Sequence, residues 1–329
     1  MRLSRRRKKI GALAAGLATG LSVGLAAGCS AAPGAAYAGG GAHQVKPLAT
    51  AKANVAPDRW VPTGPLLAVA GAPAGVAAKG GVLANAATGQ VLWSRQAGVQ
   101  RPMASITKVM TAYLVVASGD LNRAIRVPKA VINYVAKNGA ESDGLHPGET
   151  LTAQQLLSGL LVQSGADAAY TLANAYGPGL NGFIAKMNAT AKKLGMNHTH
   201  FTSPDGLPYP TETSTYSTPQ DLLTLGNAAM RSATFTSIVE QIQYHLPKGK
   251  GHLEHWWYND DSLLRTYRGA VGIKTGFTDQ AGHCLLFEAV RDGRSLLGVV
   301  LDSPATGVRA SENDATRILN WGFSLKQAS

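Results

Sequence analysis

Apolar positions along this chain fall into runs of two distinct periods. In the run 109–117, Val109, Met110, Tyr113, Leu114 and Val115/Val116 recur at helical spacing, which predicts a buried helix. Pro102 stands just ahead, where a proline starts a helix without losing a needed N–H. The same logic predicts helices from Thr152-Ala153-Gln154-Gln155 through Leu156, Leu157, Leu160 and Leu161, and over 168–175 and 183–194. A Thr218-Pro219-Gln220-Asp221 cap predicts another to Met230, and 311–323 reads as a closing helix. The stretch 130–161 reads as mostly helical, broken at 144–148, and 197–217 as a long polar loop. Strand-like runs lie elsewhere. Residues 81–86 and 90–93, around Thr88-Gly89, predict a β-hairpin. Three more strands are predicted at 270–276, 281–290 and 294–301, the last two joined by an Asp292-Gly293 turn. Strands at both ends with helices between imply an α/β (α+β) architecture. An antiparallel β-sheet joins the two termini and is flanked by helices.

The predicted first helix carries chemistry. Ser105 falls in its first turn, near the positive end of the helix dipole, and Lys108 one turn on can fold back over the hydroxyl. A serine hydroxyl needs a nearby base to become a nucleophile. A lysine serves if burial and positive neighbours lower its pKa. A Ser and a Lys three apart also arise by chance, so the pair gains weight from a rarer motif, Lys274-Thr275-Gly276, which follows the strand-like Ala270-Val271-Gly272-Ile273. Serine, lysine and a second, strand-borne lysine make a coherent acyl-transfer site. Two lysines close together would depress Lys108 by like-charge repulsion and leave Lys274 as the cation.

Composition changes this picture at the N-terminus. The 329 residues are 45% hydrophobic and 15% charged, which suits one large globular domain. Half of the net charge of +12 sits in Arg2, Arg5, Arg6, Arg7, Lys8 and Lys9, ahead of the apolar, small-residue run 10–27. This is the pattern of a secretory signal, so the function is expected outside the cytoplasm. Two ends fit: cleavage after Ala36-Tyr37-Ala38, or a lipobox at Leu25-Ala26-Ala27-Gly28-Cys29 that would lipidate Cys29. The expected organisation is a signal peptide over 1–28, extended to 38 by the first route, a flexible Ala/Gly/Pro-rich tether over 29–65 and one folded domain over 66–329. Within that domain, 66–79 reads either as more tether or as a first helix. With only Cys29 and Cys284, no disulfide framework is expected, and Cys284 reads as a core residue. The remaining basic charge reads as surface facing an anionic envelope rather than as a nucleic-acid site.

Ser105-Ile106-Thr107-Lys108, Ser164 and Lys274-Thr275-Gly276, in that order, resemble the penicillin-recognising serine DD-peptidases, above all the D-alanyl-D-alanine carboxypeptidases among the low-molecular-mass penicillin-binding proteins. The resemblance spans roughly 80–325. It includes Gln163-Ser164-Gly165, Lys192-Lys193-Leu194-Gly195-Met196, Ser203-Pro204-Asp205-Gly206-Leu207, the segment from Lys274 to Gly282, and Asn320-Trp321-Gly322-Phe323. It implies the transpeptidase fold shared with β-lactamases and removal of the terminal D-alanine from peptidoglycan stem peptides ending in D-Ala-D-Ala. Ser105 would form the acyl-enzyme, Lys108 take its proton and Ser164 relay a proton to the leaving amine. Lys274, Thr275, Gly276 and Phe277 would bind substrate, with the N–H groups of Ser105 and Phe277 as oxyanion hole and Arg309 on the substrate carboxylate. β-Lactams would be covalent inhibitors. No cofactor or metal is implied, and the membrane enters only through a lipid on Cys29.

One position departs from the family. Its second motif is S-x-N, and here the Asn position holds Ala166; Asp167 beside it reads as the first-turn acid of the next helix. A literal S-x-N at Ser311-Glu312-Asn313 comes too late in the chain and reads as chance. Other readings have weaker support. A class A β-lactamase needs a deacylating Glu in an E-x-x-L-N context, which Glu212 does not provide. The His198/His200 and His252/His255 pairs lack the HExxH pattern of a zinc peptidase. Ser203, Asp205 and a His have no spacing that supports a triad. A non-catalytic wall-binding lipoprotein of the same fold would use Trp256-Trp257-Tyr258 as its recognition patch, although those aromatics read more simply as packing under a loop or at a cleft rim.

Overall fold

The computed structural model describes residues 71–304, 307 and 309–326, together with Pro62. The expected signal segment, Cys29, the cleavage site after Ala38 and nearly all of the expected tether lie outside the described residues. Residues 71–79 form an irregular segment with a turn at 74–75 rather than a helix. The N–H groups of Ala77 and Ala78 donate to the two carboxylate oxygens of Asp314, each at 2.8 Å, which fastens the start of the domain to its last helix.

The hairpin predicted at 81–93 forms from β1 (Gly80–Asn85) and β2 (Val91–Arg95). The Asn85 side chain accepts from the N–H groups of Ala87 and Thr88 to close its turn. A 3₁₀ turn (Ala104–Ile106) and α1 (Thr107–Ser118) follow. The segment 119–161 differs from the expectation. It holds β3 (Ala124–Arg126), α2 (Lys129–Asn138), β4 (Thr150–Thr152) and α3 (Ala153–Ser158), with β3 and β4 paired across the expected helix break. Gly139 in the left-handed conformation stops α2 early. Thr152 and Gln155 form the capping box their spacing implies. A π-helical turn (Gly159–Gln163) leads to α4 (Ala166–Tyr176) and α5 (Gly179–Leu194). After the long loop come α6 (Pro219–Met230), capped by Thr218, and α7 (Ala233–Val239). A second hairpin, β5 (Gln243–Leu246) with β6 (His255–Tyr258), and the short α8 (Leu263–Thr266) precede the three long strands. These are β7 (Ala270–Thr278), β8 (Gly282–Arg291) and β9 (Arg294–Ser303), and α9 (Ala310–Ser324) closes the chain.

The main sheet is antiparallel in the order β2-β1-β9-β8-β7, so β1 pairs with β9 and the two ends of the chain meet in its middle. Alternate residues of the central strands enter two cores. Val82, Cys284, Leu286, Leu297 and Val299 face α1, α4 and α6, whereas Leu83, Leu285, Phe287, Leu296 and Val300 face Ile318 and Leu319 of α9. Burial on both faces explains why β8 and β9 read as nearly continuous apolar runs rather than as alternating ones. Cys284 is fully buried, as its apolar neighbours imply. The arrangement leaves β7 at one edge, lying against the 3₁₀ turn that carries Ser105.

Candidate active site

Ser105 lies just ahead of α1, in the one-turn 3₁₀ segment, and not in the first turn of the α-helix. The turn is clamped from two sides by backbone that only glycine allows so near. A Cβ on Gly276 of β7 would come 3.0 Å from the Ser105 nitrogen and 2.9 Å from the Met103 carbonyl oxygen. A Cβ on Gly206, which holds φ at +88°, would come 2.0 Å from the Ala104 carbonyl oxygen. Ala104 itself takes a left-handed φ of +47°, a local strain the clamping sustains.

Lys108 Nζ lies 2.8 Å from Ser105 Oγ and donates to the Asp205 carbonyl at 3.0 Å. The loop that offers this carbonyl is held to α1 by Thr111 Oγ1 donating to the Pro204 carbonyl. The Asp205 carboxylate turns elsewhere, accepting from Tyr134 Oη at 3.0 Å and from the Leu207 N–H. Ser203 Oγ accepts from the Gly206 N–H, so Ser203 and Asp205 shape a turn. Burial drives the Lys108 pKa below its ordinary value, against the opposing pull of Asp205, Asp143, Glu141 and Asp167.

Lys274 is also buried, and its Nζ donates to Thr275 Oγ1 at 3.3 Å. Burial first, and then the charge of Lys108, push it down to about 8. The sequence argument put the like-charge effect on Lys108. In the structure that effect falls on Lys274, while burial is what depresses Lys108. Ser164 ends the π-helical turn with φ at +71° and presents its hydroxyl immediately before α4. Ser105, Lys108, Ser164, Thr275, Gly276, Phe277 and Arg309 line one cleft of about 410 Å³, with Ala166 among them. Phe277 stands half exposed at its edge, its ring tilted against that of His283, and Arg309 precedes α9 in a left-handed conformation.

The cleft also holds residues that sequence reasoning passed over: Glu141, Asp260, His283, Ser311 and Glu312. Ser311 Oγ donates to Glu312 Oε2 at 2.8 Å, and Ser262 Oγ to Oε1 at 3.3 Å. The literal Ser311-Glu312-Asn313 motif thus contributes two residues to the cleft wall, although Asn313 is exposed and does not line it. Glu141 and Asp260 had no motif to mark them. Asp167 does not reach into the cleft. Its carboxylate accepts from Ser142 Oγ and from the N–H groups of Asp143 and Leu145, pinning the 141–145 loop to α4. His255 Nε2 pairs with Glu149 at 3.0 Å, and Trp257 is buried with its Nε1 donating to the Asp143 carbonyl, whereas Trp256 and Tyr258 are exposed. Glu212 bonds Gln280 on the surface and does not line the cleft.

A serine whose hydroxyl meets a buried lysine amine, beside an edge strand carrying a second buried lysine, defines a serine acyl-transfer enzyme. Comparison with known proteins gives the family. The D-alanyl-D-alanine carboxypeptidase family matches residues 68–305, and the chain belongs to it. The D-alanyl-D-alanine carboxypeptidase of Streptomyces sp. strain K15 is 39% identical over 262 residues, 76% of this chain and 88% of that one. The D-alanyl-D-alanine carboxypeptidase DacB2 of Mycobacterium tuberculosis is 38% identical over 252 residues, covering 75% and 83%. The crystal structure of the Streptomyces K15 DD-transpeptidase superposes with a TM-score of 0.72 over 76% of this chain and 98% of that chain. The antiparallel sheet flanked by helices is therefore the DD-peptidase fold that the motifs imply.

Proposed function

We propose that this enzyme is a serine D-alanyl-D-alanine carboxypeptidase working on peptidoglycan stem peptides, with Ser105 as nucleophile. The observation that carries the reading is the 2.8 Å contact between Lys108 Nζ and Ser105 Oγ within the cleft. Neutral Lys108 takes the hydroxyl proton as Ser105 attacks the carbonyl between the two terminal D-alanines. The oxyanion is met by the N–H groups of Ser105 and Phe277, and Ser164 passes a proton to the departing D-alanine amine. Lys274, Thr275 and Arg309 hold the terminal carboxylate, and water then releases the shortened peptide. β-Lactams acylate the same serine. The work is done at the extracellular face of the cell membrane or in the cell wall, reached through the N-terminal signal, with Cys29 as a lipid anchor or residue 38 as the end of the removed segment. The β-lactamase and non-catalytic alternatives are not favoured, since the similar proteins are DD-peptidases.

A second reading has its own support. The K15 relative is described both as a carboxypeptidase and as a DD-transpeptidase. The test follows a peptide ending in D-Ala-D-Ala with and without an added amine acceptor, for wild type and Ser105→Ala. Free D-alanine and the shortened peptide, both absent with Ser105→Ala, support hydrolysis. A product carrying the acceptor in place of the shortened peptide supports transfer. D-Alanine release undiminished in Ser105→Ala would overturn both.

A further inference from the structure

Among the described residues, one buried carboxyl group has no well-formed hydrogen bond at either oxygen, only the nearby Gly165 N–H acting on its charged form, and it lies behind the second motif. It belongs to Asp143, 4% exposed. Two glycines clear the space it fills. A Cβ on Gly165 would come 2.0 Å from Asp143 Cγ, and one on Gly159 would come 2.4 Å from Asp143 Oδ2. Gly165 separates Ser164 from Ala166, so the carboxyl packs against the backbone that presents Ser164. Its own backbone is pinned on both sides: the N–H donates to Asp167 Oδ1 at 2.9 Å and the carbonyl accepts from Trp257 Nε1 at 2.8 Å. The charged groups that face it are Asp167 on α4, Lys108 on α1 and Glu141 on its own loop. Burial first, then the negative charge of Asp167, raise its pKa well above the carboxylate range, with Lys108 opposing. The shift favours the neutral acid, which can both donate and accept.

A buried carboxyl with so little hydrogen bonding costs stability. Such groups persist where function uses them. Here a use stands next to it. Ala166 brings a methyl group to the place where the resembled family carries an amide.

We propose that Asp143 is a positioning residue that supplies, from behind Ser164-Gly165-Ala166, the polar group Ala166 lacks, and so holds the Ser164 turn and the Lys108 amine in their working arrangement. It acts through the Gly165 backbone and Lys108, without touching substrate. The inference rests on the serine DD-peptidase reading.

The test is the rate of Ser105 acylation by benzylpenicillin, followed by intact mass, with thermal midpoints measured alongside. The variants are Asp143→Leu, Asp143→Ala, Asp143→Asn and the double variant Asp143→Leu/Ala166→Asn; Asp143→Ala serves should leucine not fit. Both apolar variants are expected to acylate about tenfold more slowly, roughly what one hydrogen bond, here that of the Gly165 N–H, contributes, while Asp143→Leu keeps the midpoint. Asp143→Asn is expected within about threefold of wild type, because the amide keeps the shape and the hydrogen bonding. Adding Ala166→Asn to Asp143→Leu is expected to recover most of the loss. Apolar variants that acylate as fast as wild type, or a double variant no faster than Asp143→Leu, would overturn the inference while leaving the enzyme's function intact. A wild-type protein that is never acylated would instead overturn the reading beneath it.

Discussion

Lys108 Nζ sits 2.8 Å from Ser105 Oγ, and the same amine donates to the Asp205 carbonyl at 3.0 Å. One contact would let the long side chain swing, and two fix it between the nucleophile and a loop that Gly206 allows against the Ala104 backbone. The lysine is 2% exposed, and burial rather than a neighbouring cation makes it a base. Ser105, Lys108 and the loop that holds the lysine therefore form one packed unit.

Arginine at position 108 would keep the charge and lose the base, because a guanidinium does not give up its proton in a protein. Lys108→Arg is expected to slow acylation by about 10²–10⁴, the usual contribution of a general base, with the protein still folded. Acylation kinetics with circular dichroism as control check this, and a rate within a few-fold of wild type would count against Lys108 as the base.

The two lysines have opposite requirements. Lys108 must be neutral to accept a proton, so activity rises with pH through its lowered pKa. On the proposed mechanism Lys274 must be charged to hold a carboxylate, and with its pKa at about 8, activity is expected to fall again above that pH. A bell-shaped profile of kcat/KM for D-alanine release is expected. Lys274→Arg, always charged, is expected to move the falling limb upward while raising KM. A limb that stays in place would assign it to another group.

Gly276→Ala would insert a methyl between β7 and the nucleophile turn, 3.0 Å from the Ser105 nitrogen. Pushing β7 away would spoil the oxyanion pairing proposed for the Ser105 and Phe277 N–H groups, and losing one such donor costs about 10²–10³ in rate. Steady-state kinetics of Gly276→Ala should show the loss in kcat, with a small change in melting temperature.

Away from the cleft, Glu149 ties the 146–149 turn to β6. Burial alone would raise its pKa, but the N–H groups of Leu253 and His146 and the His255 ring outweigh it and hold the carboxyl below its ordinary value. A depressed carboxyl pKa gives stability that is present above the unfolded value and lost as pH falls through the folded one. Glu149→Gln is therefore expected to lower the melting temperature at neutral pH, and the gap to wild type should narrow as the pH falls below the ordinary glutamate range. A gap independent of pH would mean that shape rather than charge accounts for the effect.

Much of this site was legible because its residues obey local rules. Ser105 and Lys108 are one turn apart, Thr152 and Gln155 make a capping box, and Asp292-Gly293 turns a hairpin between apolar strands. The three-residue strands β3 and β4 were not legible, since so short a run carries no period, and the β5–β6 hairpin lies in a stretch of mixed polarity. The charged wall of the cleft escaped for another reason. Glu141, Asp260 and Glu312 come from three distant segments and meet only through the fold. Asp143 escaped most fully, because only packing against Gly159 and Gly165 distinguishes it from a surface acid.

The most direct test of the whole account is the intact mass of wild type and Ser105→Ala after incubation with benzylpenicillin. The account predicts one lasting adduct on the wild type, carrying the whole drug, and none on the variant. An adduct that persists on Ser105→Ala, or rapid loss of the drug with no lasting adduct on the wild type, would contradict Ser105 as the acylated nucleophile of a DD-peptidase.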